Sequence, residues 1–514
     1  MPTTNNSRTT QFIKNIVGSA LLQIVTIITG FISPRLMLTA FGSEINGITS
    51  SITQFISYLT LVEAGLSNAT VFALYKPLAD RDIKERDAVI SASRIAYLRV
   101  GILFVALSLG LALIYPYIGS TDAMSNWELG LLVLVLCSNT TINFFILAKY
   151  RTLLTADQCG YIISFSSCAQ LLTHLAIVYV TIQLGFPVTA VRAFGILSYG
   201  VTTLILAISV RLKYGKINYK APPNMKALDK RHDAMFLQIM GVITAATPVV
   251  IMTALLDYKT ISVYTIYNMI AGSVATCISV FTSGLGSAFG NIYAINDTAL
   301  LKKTTEEFRV AFYALVTIVY TVMLSSLIPF VRLYTDGITD TNYLLPLFGI
   351  LITAKGLLDN MKAPHGMLVM SFGKYREIRR QTIIQGVLII ASTFLFTKLW
   401  GLNGCMLALC VANVYMLVEL LILTPKVLVE MSVRKNLRQI VQILVVVFGT
   451  YGISLAIPYQ PDNYLSWLVY ACVIGIFATV VTIGIFFLFD KTEMLSLWQR
   501  ICILLKRGKN RVDN

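Results

Sequence analysis

Charge is the scarcest commodity in this 514-residue chain. Only 13% of its residues are Asp, Glu, Lys or Arg, and 56% are hydrophobic. Soluble domains carry about 25% charged residues, so a soluble globular protein is excluded. The mean hydropathy, +0.73, says the same. Histidine is nearly absent, at three residues, and there is no H-E-x-x-H, P-loop or G-x-G-x-x-G. No catalytic residue, metal site or bound cofactor is therefore expected. The eight cysteines form no CxxC pair and lie mostly in apolar runs, which makes them small packing residues, neither metal ligands nor disulfides. The first apolar run is too long for a signal-peptide core and no A-x-A-like site follows it, so it is expected to remain as a first helix.

What charge there is follows a pattern. Of 41 basic residues, 34 fall at the N-terminus, in alternate polar gaps or in the C-terminal tail, and three (Lys259, Arg332, Lys398) fall in the gaps between. This alternation is the positive-inside bias of a multi-pass membrane protein. It turns the net charge of +16 into attraction to anionic inner-leaflet lipid and not to nucleic acid. Arg35, Arg192, Lys355 and Lys362 lie within or at the ends of apolar spans. Each costs at least about 2.5 kcal/mol in hydrocarbon and so marks a functional candidate.

Apolar stretches of about 18–28 residues, read as spanning helices, predict an all-α integral membrane protein with about fourteen crossings. The loops after even-numbered crossings are basic, which puts both termini in the cytoplasm. The longest basic gap contains Pro222-Pro223 and separates two similar halves. Pro34 and Pro116 match Pro248 and Pro329, Arg151–Tyr161 falls opposite His365–Tyr375, and Gly185 falls opposite Gly401. An even number of crossings per half makes the repeats parallel, with the binding site expected between them at mid-membrane. The expected organisation is a six-helix lobe at 1–211, a cytoplasmic linker at 212–233, a second six-helix lobe at 234–425, and two extra helices with a basic tail at 426–514. The run Leu495–Lys506 reads as an interfacial helix on the inner leaflet.

The tenth run carries the strongest constellation. Lys355, Asp359 and Lys362 are spaced i, i+4, i+7, and His365 follows one turn later, on roughly one stripe. Counted from Asn342, Lys355 lies about 20 Å into the membrane. Pro364 is expected to kink the helix. Two cations to one carboxylate leave a surplus positive charge, which suits an anionic substrate, whereas a self-neutralised Lys–Asp pair would only pack helices. Glu63, in the second run, has three readings: pairing a cation, binding a coupling ion, or hydrogen-bonding across a bend at Gly65. Arg35 either reaches a phosphate in a cleft or snorkels to the interface, and Arg192 fits snorkelling better. Glu419 reads as a surface carboxylate. His174 suits a hydrogen-bonded packing role or a proton relay, and Tyr58, Tyr264, Tyr267 and Tyr293 suit sugar stacking or interfacial anchoring. Outer loops of about ten residues fit a moving transporter better than a polytopic glycosyltransferase or ligase.

The stretch Pro34–Asp82, PRLMLTAFGSEINGITSSITQFISYLTLVEAGLSNATVFALYKPLADRD, resembles the opening of the Wzx-type polysaccharide flippases of the MATE-like (MOP) superfamily. The likeness rests on the Arg35 end of the first helix, the FGSEINGI turn, the VEAGLSNA segment around Glu63 and the LYKPLAD exit. It covers the architecture of the whole chain and, in local sequence, mainly its first hundred residues. The resemblance implies a non-enzymatic, alternating-access flippase of the bacterial plasma membrane. It would carry undecaprenyl-pyrophosphate-linked oligosaccharide outward, with plasma membrane lipids and other polysaccharide assembly proteins as partners. Lys355, Lys362 and Arg35 would then contact the pyrophosphate, with Asp359 orienting the lysines and Glu63 or His365 coupling a proton or sodium gradient. The alternatives are an ion-coupled multidrug or metabolite antiporter of the same superfamily, a lipid II flippase, and a scaffold that recruits glycosyltransferases. The first run has no Asp or Glu, which speaks against an exporter of organic cations.

Overall fold

The computed structural model describes residues 5–119, 121–282, 285–295, 297–427, 432–456 and 459–499. Every regular element among them is helical. Many of the breaks between helices fall where a residue takes up positive φ. Gly42 (φ 80°) divides α1, Asn5–Leu59, into two crossings, and Gly65 (φ 79°) opens α2, Leu66–Ala79. Such backbone is open to glycine and strained for most other residues.

Eleven described helices are long and apolar enough to cross a membrane. Two of these hold an internal break and make two crossings each: α1, and α14 (Tyr375–Val427), which turns at Trp400 and Gly401. Helix α13, Pro346–Ser371, has the length at 26 residues, but Lys355, Asp359 and Lys362 fall in each of its 18-residue windows. Together they give the fourteen crossings expected from sequence. The repeat is also visible in the turns. Gln158 (φ 56°) and Gly185 (φ 75°) in the first half answer to Gly373 (φ 68°) and Gly401 (φ 57°) in the second. Pro34 lies inside α1 and Pro248 inside α9, His232–Leu255, at the same offset.

By packing, the chain divides into two compact units, Met1–Val263 and Tyr264–Asn514. The first holds α1, α2, α3 (Ile83–Ile114), α4 (Asn126–Ile142), α5 (Ala148–Ala156), α6 (Gly160–Gln183), α7 (Val188–Gly195), α8 (Ser198–Tyr214) and α9, and the start of α10 (Tyr258–Thr282). Its core includes Leu74, Val89, Leu147, Leu153 and Leu206, all buried. The segment after α8 is tied down on α3: the Asn218 N–H donates to Asp87 Oδ2 at 3.0 Å and Asn224 Nδ2 to Glu85 Oε1 at 2.7 Å. The second half of α1 runs along α9 and the start of α10 through side-chain hydrogen bonds. Asn46 donates to Ser262 at 2.7 Å, Ser51 pairs with Thr253 at 2.6 Å, and Tyr58 pairs with Thr247.

The second unit holds the rest of α10, α11 (Leu285–Ala294), α12 (Thr298–Tyr334), α13, α14, α15 (Val433–Leu455) and α16 (Tyr464–Phe489). Helices α15 and α16 are latched to α12 by a polar web. Buried Arg309 donates from Nε to Gln439 at 2.9 Å, and Gln439 donates to the buried carboxylate of Asp490 at 2.9 Å. Arg438 adds a 2.8 Å ion pair to Asp490. Burial would raise the Glu493 carboxyl, but hydrogen bonds from Lys435 and Thr492 hold it below the usual range. Asp490→Ala orphans buried Gln439 and is expected to cost about 2 kcal/mol. Heating in detergent followed by size-exclusion chromatography checks this, and an unchanged midpoint would contradict it. Of the interfacial helix expected over Leu495–Lys506, residues 495–499 are helical and the remainder lies outside the described residues.

Among the described residues no disulfide forms. Cys137, Cys159, Cys168, Cys405 and Cys410 are buried, and Cys277 and Cys472 are exposed. Cys502 lies outside the described residues.

Candidate functional site

Helix α13 starts with Pro346 at its first position, where the missing N–H costs nothing. It remains helical through Pro364, so the kink expected there does not interrupt it. Residues 342–345 are not helical, which moves Lys355 to about 14 Å from the start of the helix instead of 20 Å. Asp359 is the residue near the middle of α13.

Lys355, Asp359 and Lys362 fall within about 60° of one another around the helix, and the structure brings them together. Lys355 Nζ lies 2.9 Å from Asp359 Oδ2 and Lys362 Nζ lies 2.8 Å from Asp359 Oδ1. One carboxylate thus serves two ammonium groups, and the cluster keeps a net charge of one proton. The side chains are 31%, 29% and 19% exposed for Lys355, Asp359 and Lys362. Asp359 and Lys362 line a cavity of about 760 Å³ within the C-terminal unit, together with Gly366, Thr382, Gln385 and Met416.

Two further residues complete the cluster. Asn413 Oδ1 accepts from Lys362 Nζ at 2.7 Å and from Gln385 Nε2 at 3.2 Å. Both amides are buried, at 3% exposure for Asn413 and 7% for Gln385. Asn413, in the second half of α14, therefore holds the lysine that α13 presents, and Gln385 in the first half is bonded to that same amide oxygen. In the sequence, the only signal of either residue is an uncharged amide inside an apolar run. Asn413→Leu removes an acceptor from both partners, worth about 1 kcal/mol or more. It should cut transport about fivefold or more without loss of folded protein, and full transport by this variant would show that Lys362 needs no such support.

His365 departs from the stripe. It lies about 60° beyond Lys362 around the helix, is 1% exposed, and faces Tyr313 on α12 with Nε2 3.5 Å from the hydroxyl. Tyr313 donates to the Met361 carbonyl at 2.8 Å. His365 does not line the cavity that Asp359 and Lys362 share.

Arg35 and Glu63 belong to the N-terminal unit. Arg35 is half-buried in α1, next to Pro34. Glu63 closes a short 3-10 turn, Thr60–Glu63, and accepts from Tyr97 Oη at 3.1 Å. The Gly65 N–H donates to Gln238 at 3.0 Å, and the Glu63 carboxylate also accepts from the Ser67 backbone N–H, so both side chains hold the bend.

Most of the aromatic and histidine candidates are packed or hydrogen-bonded, and Tyr293 is exposed. Tyr264 and Tyr267 are buried, and Tyr267 donates to the Tyr343 carbonyl at 2.8 Å. Tyr293 stacks on Phe372 at 4.2 Å. His174 Nδ1 lies 3.3 Å from the Gly195 carbonyl. No group of three or more His, Cys, Asp or Glu among the described residues is arranged to hold a metal.

No family model matches the sequence, and no curated protein matches it. Solved structures do match. The lipid II flippase MurJ in its inward closed conformation aligns over 92% of this chain and 99% of its own, with a TM-score of 0.67 and 14% identity. The fold is MATE-like. An inward-facing multidrug resistance MATE family transporter of the MOP superfamily aligns over 80% of this chain and 98% of its own, at a TM-score of 0.65 and 16% identity. Its outward-facing conformation aligns at 0.54. These MATE-like neighbours are transporters, and this chain is a multi-pass membrane protein with their fold. The MurJ match leaves 8% of the chain uncovered, about 41 of 514 residues. That is fewer than α15 and α16 together contain (23 and 26 residues), so the likeness reaches the latched C-terminal pair.

Proposed function

We propose that this protein is a flippase. It moves undecaprenyl-pyrophosphate-linked oligosaccharide from the inner to the outer leaflet of a bacterial plasma membrane by alternating access, for cell-surface polysaccharide synthesis. Its lobes are 1–211 and 234–425, its termini are cytoplasmic, and it performs no covalent chemistry. The observation that carries this reading is the pair of lysines on one carboxylate beside a cavity of about 760 Å³. A pyrophosphate carries about two negative charges, and such a group crosses hydrocarbon only against desolvated cations. Thr382 and Gln385 on the cavity wall offer the hydroxyl and amide partners a sugar needs, while the prenyl tail stays in lipid. Lys355 and Lys362 contact the pyrophosphate, and Arg35 is a third cation for it. Glu63 or His365 is the group for coupling to a proton gradient.

Lipid II flipping is the second reading, because the MurJ fold likeness spans 92% of the chain and the pyrophosphate chemistry is shared. Bacteria that make this protein provide the test. On its depletion, lipid-linked oligosaccharide should accumulate with its sugar on the inner leaflet while lipid II is processed normally. Accumulation of lipid II instead would move the assignment to the second reading, and accumulation of neither would remove both.

A further inference from the structure

We infer that Asp359 is a resident counter-anion that the substrate displaces and that returns when the substrate leaves. This rests on the flippase reading and concerns how the same site is discharged. Each lysine gives Asp359 one contact, at 2.9 Å for Lys355 and 2.8 Å for Lys362, to different oxygens of the carboxylate. Tethered within a turn or so of each, Asp359 is present at very high effective concentration. A diphosphate brings more acceptor oxygens and about twice the charge, so it can win the ammonium groups from a single carboxylate. Asn413, bonded to Lys362 at 2.7 Å and to Gln385, keeps that lysine in place through the exchange.

The gain appears on release. Without Asp359 the empty site would carry two uncompensated cations, Lys362 on the cavity wall and Lys355 one turn away, through the return step, which a low-dielectric setting penalises. With it, the surplus falls to one charge. Asp359 also competes with a bound anion, which lets the head group leave on the far side. A carboxylate in this place weakens binding and speeds turnover.

Asp359→Asn should therefore bind inorganic pyrophosphate about tenfold more tightly than wild type, since a competing like charge has gone, and should transport more slowly. A merely structural residue would lose both together. Isothermal titration of the full-length protein in detergent reads the first effect, and head-group transfer in proteoliposomes reads the second. Equal or weaker binding by folded Asp359→Asn overturns the inference. Absence of pyrophosphate binding by wild type overturns the flippase reading beneath it, which keeps the two failures distinct. A measurement on wild type needs no variant to fold: pyrophosphate should shift a carboxylate stretching band in the infrared difference spectrum, a shift lost in Asp359→Asn. A spectrum without that shift also overturns the inference.

Discussion

Lys355→Gln/Lys362→Gln is expected to carry no lipid-linked diphosphate above the level of empty vesicles. Moving an anion into a site without cations costs several kcal/mol per charge, and each 1.4 kcal/mol is a factor of ten. A loss of at least about a hundredfold follows for a diphosphate. The double variant strands Asp359, which bonds both lysines, and an unpaired carboxylate there destabilises the helix. The triple variant Lys355→Gln/Asp359→Asn/Lys362→Gln removes that objection. It is expected to be as stable as wild type and as inactive as the double variant. Transport by the triple variant would show that the cations are not what binds the head group.

The second large effect concerns folding. A Cβ at Gly47 would stand 1.8 Å from the carbonyl oxygen of Tyr258 and 2.7 Å from its carbon. Both are backbone atoms, so no rotamer change relieves the clash. The second half of α1 would have to leave the start of α10 and break the 2.7 Å bond between Asn46 and Ser262. Overpacking of this kind costs about 3 kcal/mol or more. Gly47→Ala should lower the yield of folded protein and its midpoint on heating in detergent. Gly110→Ala, where nothing lies within 4 Å of the added atom, is the matched control and should leave both unchanged. Equal midpoints for the two variants would mean that the helices do not approach so closely.

The fourteen crossings were legible because what limits them is local. Glycines at positive φ, the alternating basic loops and long apolar runs each act on a few neighbouring residues. The Lys355–Asp359–Lys362 cluster was legible for the same reason, since i, i+4 and i+3 neighbours on one helix meet whatever surrounds them. Other features depended on tertiary partners. His365 lies one turn from Lys362, but the drift of 3.6 residues per turn carries it around to Tyr313. Tyr264 and Tyr267 follow the same apolar pattern whether they line a cavity or fill a core, and only packing against Phe348 at ring-centroid distances of 6.4 and 5.0 Å settles it. Asn413 and Gln385 are uncharged, so nothing in the sequence distinguishes them from the other amides until Lys362 is placed beside Asn413. Gln238 could not be matched to the Gly65 bend because 173 residues separate them.

Head-group transfer in proteoliposomes loaded with a short-chain prenyl-pyrophosphate oligosaccharide tests the central claim most directly. The readout is the fraction of sugar accessible from outside, compared with empty vesicles and with Lys355→Gln/Lys362→Gln. A protein-dependent rise that the double variant lacks is the expected result. No rise in sugar accessibility, with fluorescent organic cations moving instead under a proton or sodium gradient, would contradict the flippase reading and put an ion-coupled antiporter in its place.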